Sequence, residues 1–169
     1  MHDLLIKNAS LPDGRRGIDI LIRKGMISEI GAGIQSEGIA QIDAAGDLVC
    51  TPFVDAHFHM DAVLSYGLPR VNASGTLLEG IALWGELKPQ LTRDALVSRA
   101  IRYCHWAVSQ GLLAIRSHVD ICDPRLLAVE ALLEVREQVR EYLDLQLVAF
   151  PQDGLLRSAG AEAQLSRAL

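Results

Sequence analysis

Two histidines separated by a single residue are the strongest chemical signal in this sequence. His57 and His59 flank Phe58 and follow the apolar stretch Pro52-Phe53-Val54. In a β-strand, residues i and i+2 point to the same face, roughly 6.5 Å apart along the chain. Two imidazoles at that spacing can bind one metal ion, with metal–nitrogen distances of about 2.0–2.1 Å. The pair therefore predicts a metal site, although the same spacing also occurs by chance in strands and loops without one.

Other polar side chains come at the ends of two later apolar runs. His118 and Asp120 end the run that begins at Leu112, and Gln152 follows the run 145–150. Enzymes built on α/β barrels carry their chemistry at the carboxyl ends of the strands. His118 is expected either to assist such a site by hydrogen bonding, without binding the metal, or to be purely structural. The amide of Gln152 can both donate and accept, which suits a ring with adjacent N–H and C=O groups, unless it simply faces water.

The acidic neighbours of the histidine pair, and the absence of several catalytic motifs, limit the kinds of active site that the sequence can form. Asp55 and Asp61 flank the pair and could either orient the imidazoles or cap the adjoining loop. The sequence has no G-x-S-x-G element, and it lacks the H-x-E and P-C-x-x-C motifs of the small zinc deaminases. No glycine-rich phosphate loop follows a predicted strand, so a nucleotide-binding Rossmann or P-loop protein is not indicated.

The elements that position these residues change in kind near residue 50. Residues 1–50 hold short β-branched runs separated by turns, with a hairpin predicted around Arg23-Lys24-Gly25. From residue 51 onward, strand, loop and helix alternate, which implies a parallel sheet. Strands are predicted at 48–56, 112–119 and 145–150. A short amphipathic segment is predicted within 76–86. Helices are predicted between the N-cap Thr92 and Gly111, from Asp123-Pro124 onward, and at 155–169.

Composition excludes several classes of protein. Half of the 169 residues are hydrophobic, which excludes a disordered chain. The net charge is −5 and no basic patch occurs, so we expect no nucleic-acid partner. No run of about 18 apolar residues predicts a membrane span. The first residues lack the basic and apolar pattern of a signal peptide, so we expect a cytoplasmic protein.

Four separate blocks of the sequence carry a resemblance to a known family. Residues 52–61 resemble the first-strand metal motif of the amidohydrolase superfamily. Residues 74–81, 117–120 and 145–154 resemble cytosine deaminase, the last block most specifically. The blocks occur in the expected order, and the resemblance extends over nearly the whole chain, including the β-rich start.

The resemblance implies a fold and a domain organisation. The expected fold class is α/β, the N-terminal part of a distorted (β/α)₈ TIM barrel preceded by a small β-sandwich module. Residues 1–50 would be the N-terminal part of that sandwich, and residues 51–169 would be the first three βα units of the barrel. A complete barrel of this type needs about 250 residues, so we expect the barrel to be incomplete in this chain.

The resemblance also implies a site. One divalent metal ion, iron or zinc, would be bound by His57 and His59. Gln152 would contact the amide edge of a pyrimidine, Leu77 would lie against its ring, and His118 would lie near the substrate. The expected reaction is the metal-dependent hydrolysis of cytosine to uracil and ammonia. Two alternatives stay open: a related amidohydrolase acting on an N-alkyl triazine or a creatinine-like ring, and a non-catalytic fragment or interaction module.

Part of the family's catalytic set has no counterpart here. The family pattern includes a further histidine ligand, an aspartate ligand and a glutamate proton shuttle on later strands, and none of these can be placed after Gln152. We therefore expect the 169-residue chain to be inactive alone. The remainder of the barrel would come from the same parent chain or a second polypeptide, and the complete enzyme is expected to be a homo-oligomer.

Overall fold

In the computed structural model, which describes residues 3–169, the β-rich start of the chain forms one four-stranded sheet. Its spatial order is β3-β2-β1-β4, and its strands are β1 (Leu4–Ala9), β2 (Ile18–Arg23), β3 (Met26–Gly31) and β4 (Ala40–Asp43). β1 and β2 are antiparallel, whereas β1 and β4 are parallel. This single sheet belongs to the first of two compact units, which meet in sequence at Thr51 and Pro52. The β-sandwich expected for residues 1–50 stays a prediction.

The turn between β2 and β3 shows why the predicted hairpin forms. Lys24 and Gly25, the two residues between the strands, have φ angles of 52° and 76°. Two consecutive positive φ angles are typical of the turns whose twist matches that of paired antiparallel strands. Glycine at the second position removes the steric cost at that residue, so the hairpin is favoured locally.

The second unit alternates strands and helices around a parallel sheet. Its spatial order is β5-β6-β7, with β5 (Phe53–Phe58), β6 (Leu112–Asp120) and β7 (Asp144–Phe150). Its helices are α1 (Leu77–Leu87), α2 (Arg93–Ser109), α3 (Leu127–Val139) and α4 (Ala161–Ala168). The predicted α/β fold is thereby confirmed. Within residues 3–169, no helix combines the length and the apolar character that crossing a bilayer requires.

Alternation along β6 separates a core face from an open face. Ile115, Ser117 and Val119 are buried, whereas Arg116 is exposed and His118 is half-buried. The main core joins the buried face of this sheet to residues of α2 and α3, including Leu96, Ala100, Cys104, Leu132 and Val135. The predicted α2 helix is confirmed with its N-cap, since the Thr92 side chain accepts from the Ala95 amide.

Three predicted element starts are wrong, one of them that of the last helix, which begins at Ala161 and not at residue 155. The first barrel strand begins at Phe53 and not at residue 48, where Leu48 forms only an isolated bridge to Ser10. Helix α3 begins at Leu127 and not at Asp123-Pro124. The Asp123 carboxylate accepts from the Arg125 amide at 3.0 Å and also pairs with the Arg125 guanidinium, which closes a turn before the helix.

Candidate active site

Three imidazoles converge on the open face of the parallel sheet. His57 lies within β5, His59 directly follows that strand, and His118 lies on the neighbouring strand β6. The ring centroids of His57 and His59 are 5.4 Å apart. The His118 ring stacks on that of His57 at 4.0 Å and lies 5.9 Å from that of His59. The register of a parallel sheet therefore brings together three residues that are up to 61 positions apart in the sequence.

Phe150, the last residue of β7, gives this cluster an apolar wall. Its ring meets those of His59 and His118 edge-on, with centroids 5.4 Å and 5.7 Å away. No role for Phe150 was indicated by the sequence. Alternation along β7 was the available signal, but only the pairing of β7 with β6 shows which imidazoles the ring contacts.

The environment keeps two of these imidazoles in their neutral form. Burial lowers the pKa of His59, and the neighbouring His57 and His118 lower it further. Burial also lowers the pKa of His118, and His57 again adds to the effect. The Nδ1 atom of His118 is buried and has no hydrogen-bond partner among the residues that the structure describes. The neutral imidazole is the form that binds metal ions.

The segment after His59 is fixed by buried hydrogen bonds to β6. The Met60 amide donates to Ser117 Oγ at 2.9 Å, and both residues are fully buried. Asp61 Oδ2 accepts from the Asp120 amide at 2.8 Å, and burial raises the pKa of Asp61 to about 6. These bonds hold a short 3₁₀ helix, Met60–Ala62, against the end of β6. The position of His59 therefore depends on contacts made by its neighbours.

The two acids flanking the histidine pair bond to backbone amides. Asp55 Oδ1 accepts from the His57 amide at 3.1 Å. Asp61, as described, accepts from Asp120 on β6 and also from the amide of Ala62. Of the two roles considered from the sequence, these bonds match the capping of the chain around the imidazoles.

The other residues assigned to the site lie on separate elements. Gln152 is half-buried in the turn after β7, where its backbone N–H donates to the Phe150 carbonyl at 3.0 Å. Leu77 is the first residue of α1, and 79% of its surface is exposed. The structure thus brings His118 to His57 and His59, and it places Gln152 two residues beyond the aromatic ring that contacts this cluster. It gives Leu77 an exposed position.

A recess of about 520 Å³ opens beside the histidine pair. Besides His57 and His59, its lining includes the aromatic rings of Tyr103 and Trp106 on α2. The Phe58 ring stacks on that of Tyr103 at 4.5 Å, which fixes the base of the recess to α2. Half of the Trp106 surface is exposed.

A partly buried ionic cluster, which the sequence did not predict, lies at the ends of β6 and β7. Lys88 Nζ contacts Asp120 Oδ2 at 2.7 Å and Asp153 Oδ2 at 2.9 Å. Trp84 Nε1 donates to the same Asp120 oxygen at 2.7 Å. Trp84 and Lys88 are four positions apart, which places them on one side of the helical segment. That spacing was visible in the sequence, but their partner Asp120 lies 32 residues beyond Lys88.

The donor chemistry of the cluster suits part of a metal site. His57 and His59 present imidazoles from positions i and i+2 at one strand end, and imidazole is a common ligand of zinc and iron. Across the part of the chain that the structure describes, no three His, Cys, Asp or Glu side chains are grouped so as to hold a metal ion by themselves. The two residues therefore fit as members of a ligand set that needs further donors.

A parallel sheet flanked by helices, with imidazoles at the carboxyl ends of its strands, is the arrangement of α/β enzymes that carry their chemistry at that edge. Sequence comparison identifies the family. The profile of the amidohydrolase family matches residues 40–168. The chain belongs to the amidohydrolase family. Members of this superfamily generally use a divalent metal ion. The predicted membership and the resemblance to cytosine deaminases are thereby confirmed.

Individual relatives cover the whole of this chain but are themselves much longer. N-isopropylammelide isopropyl amidohydrolase from Pseudomonas sp. (strain ADP) is 34% identical over 99% of this chain and 43% of its own length. The crystal structure of 5-methylcytosine deaminase from Klebsiella pneumoniae, liganded with 5-fluorocytosine, is 37% identical with a TM-score of 0.90, over 97% of this chain and 40% of that one. N-isopropylammelide isopropylaminohydrolase from Burkholderia multivorans gives 27% identity and a TM-score of 0.83, over 99% and 42%. The chain thus spans less than half the length of these relatives.

Proposed function

We propose that the complete protein carrying this chain is a metal-dependent hydrolytic deaminase of a cyclic amidine, with cytosine or a close analogue as its substrate. The observation that carries the proposal is the convergence of His57, His59 and His118 beside the β7 end that leads to Gln152. This arrangement combines metal-binding imidazoles with an amide able to contact the polar edge of a ring. The identity to 5-methylcytosine deaminase supports the choice of ring.

His57 and His59 would hold the metal ion, which is iron or zinc. When bound, such an ion supplies a water-derived nucleophile near neutral pH. The residues of this chain would shape the binding site for that ion. The neutral state of His59 leaves its ring nitrogens able to bind, and Phe150 reduces the access of bulk water on one side of the imidazoles.

Gln152 would orient the substrate. Its carboxamide can donate to a ring C=O and accept from the adjacent N–H, so a ring that presents both groups is held in one orientation. His118 would lie near the same ring, and Leu77 would lie against the face of that ring. Holding the ring in one orientation directs its amino-bearing carbon toward the nucleophile.

The remainder of the catalytic set would come from outside these 169 residues. Residues 1–50 form part of a small β-sandwich in this proposal, and residues 51–169 form the first three βα units of the barrel. The later strands would supply the further ligands and the proton-transferring acid and base. The chain alone is then inactive, because it holds two imidazole ligands and no proton shuttle.

A second candidate is the hydrolysis of an N-alkylated triazine. It is favoured by the 34% identity to N-isopropylammelide isopropyl amidohydrolase over almost the whole chain. Both rings present adjacent N–H and C=O groups, so Gln152 can contact either of them. The two candidates differ in the leaving group, which is ammonia in one case and an alkylamine in the other.

A substrate panel on the complete protein tests the proposal. We expect cytosine and 5-methylcytosine to give kcat/KM values well above those of N-isopropylammelide and creatinine, with ammonia as the released amine. Release of isopropylamine with the highest kcat/KM would support the second candidate instead. If the metal-loaded protein turns over no member of the panel, the proposed function is wrong.

Matched variants test the assigned residues. His57→Ala and His59→Ala should each lower the bound metal per chain, whereas His105→Ala, at an exposed position on α2, should not. Gln152→Ala should raise KM for the preferred ring, whereas Gln110→Ala, at the exposed end of α2, should leave it unchanged. Equal metal content in all three histidine variants would remove the metal assignment, and equal KM in both glutamine variants would remove the role of Gln152.

A further inference from the structure

The partly buried Lys88 ammonium joins the ends of two neighbouring strands. The Lys88 side chain is 12% exposed and Asp120, the last residue of β6, is 2% exposed. Asp153 lies three residues after the end of β7, and its carboxylate accepts from the same ammonium. Lys88 is thus bonded to a carboxylate at the end of each strand. Its own backbone carbonyl accepts from the Arg125 guanidinium at 2.7 Å, which limits its freedom to move.

Few other hydrogen bonds hold the turn that carries Gln152. Its backbone is closed by the Gln152 amide, which donates to Phe150, and by the Gly154 amide, which donates to Pro151 at 2.8 Å. Both bonds are local to the turn. The Ile121 amide, directly after β6, donates to the Phe150 carbonyl at 3.0 Å and joins the start of the turn to β6. The contact between Lys88 and Asp153 adds a side-chain tie on the far side of Gln152, because Lys88 is also bonded to Asp120.

The charges in this cluster favour a stable contact between Lys88 and its two carboxylate partners. Burial lowers the pKa of Lys88, but hydrogen bonds to Asp120 and Asp153 outweigh burial and leave that pKa raised. The ammonium is therefore charged across the physiological range. A hydrogen bond between charged partners is shorter and stronger than a neutral one, so it restricts the geometry of the turn more tightly.

We infer that Lys88 is a positioning residue for substrate recognition, holding the Gln152 turn in register with the imidazole cluster through its bond to Asp153. The inference rests on the proposed function, in which Gln152 contacts the polar edge of the ring. Lys88 acts through Gln152 and does not touch the reacting atoms. A displacement of the turn by about 1 Å would weaken binding and orientation by roughly 10- to 100-fold.

Three variants of the complete protein separate this role from general stabilisation. Lys88→Met removes the ammonium and both of its bonds. Asp153→Asn weakens only the tie to the turn, at a side chain that is 42% exposed. Trp84→Phe is the matched control, because it removes the other side-chain donor to Asp120 and leaves the tie to Asp153 in place.

Two readouts decide the inference. KM for the preferred ring should rise about tenfold or more in Lys88→Met, with a smaller effect on kcat, and it should rise to a lesser degree in Asp153→Asn. Trp84→Phe should leave KM unchanged. Hydrogen exchange of the Gln152 and Gly154 amides should be faster in the first two variants and unaltered in the control.

The outcomes distinguish this inference from the proposed function. An active wild-type protein whose KM and amide exchange are the same in Lys88→Met and Asp153→Asn overturns the inference and leaves the function standing. A wild-type protein without turnover overturns the function, and the exchange of the two amides then decides by itself whether Lys88 holds the turn. Equal effects of Trp84→Phe and Asp153→Asn would mean that the cluster is only structural, which also overturns the inference.

Discussion

Replacing Ser117 by alanine tests how the structure fixes the metal-binding histidines. Ser117 Oγ is the acceptor for the Met60 amide, which directly follows His59. Both residues are 0% exposed, so water cannot replace the lost hydroxyl without opening the core. The variant therefore leaves a buried N–H group without a partner, and it loosens the chain at the residue next to a metal ligand.

The expected cost follows from this burial. Leaving a buried donor unsatisfied costs about 1–3 kcal/mol, equivalent to roughly 5- to 150-fold in an equilibrium constant. Hydrogen exchange at the Met60 amide in the complete protein measures the effect locally, and urea unfolding measures it globally. We expect faster exchange at Met60, a lower free energy of unfolding and weaker metal binding in Ser117→Ala.

An exposed serine provides the matched control. Ser109 also bonds to a backbone group, since its hydroxyl donates to the Trp106 carbonyl at 2.7 Å, but it lies on the exposed end of α2. Ser109→Ala should change the free energy of unfolding by less than about 0.5 kcal/mol. If the two alanine variants change stability equally, and exchange at Met60 is unaltered in Ser117→Ala, the reasoning from the buried hydrogen bond is refuted.

Three further predictions concern the core and its ionisable groups. Leu132→Ala, at a fully buried position on α3, should lower the free energy of unfolding by about 2–5 kcal/mol in a urea titration. Leu133→Ala, at the neighbouring exposed position, should have little effect in the same titration. Equal losses of stability would contradict the assignment of Leu132 to the core. Burial raises the pKa of Cys104 to about 11, so peptide mapping after alkylation near neutral pH should find Cys104 labelled only in the denatured chain, and labelling of the native protein would contradict this. Because the pKa of Lys88 is raised above its ordinary 10.5, its stabilising contribution is fully present below that value and is lost as pH rises through the higher folded value. The stability difference between wild type and Lys88→Met should therefore be constant from neutral pH to about 10 and shrink above it, while a difference that already shrinks near neutral pH would contradict the raised pKa.

The regular elements could be predicted where local chemistry and periodicity agreed. The α2 helix has an N-cap threonine, a buried stripe of apolar residues and a glycine with positive φ just after its end, and each of these signals is local. The predicted start of α3 was wrong because Asp123 and Pro124 are equally typical of a turn. The Arg125 guanidinium bonds to Asp123 and thereby favours the turn. The periodicity of apolar residues gives no sign of this side-chain contact.

The candidate site could be predicted only where its residues share a strand. The spacing of His57 and His59 identifies their common role without any knowledge of the fold. The stacking of His118 on His57 depends on the register between β5 and β6, which includes an irregularity between Asp55 and Phe58. The Lys88 cluster depends on three segments meeting in space, and no spacing in the sequence indicates that meeting.

Strand β6 organises this site more than its single imidazole suggests. It is the central strand of the parallel sheet, and its last residues face in alternate directions. Ser117 points to the core and holds the chain after His59, whereas His118 points to the open face and stacks on His57. Asp120 accepts from Lys88, which also contacts the turn after β7. Substitutions on both faces of β6 should therefore alter the site. Those at Ser117 should weaken metal binding, whereas those that break the contact of Asp120 with Lys88 should change the position of the substrate.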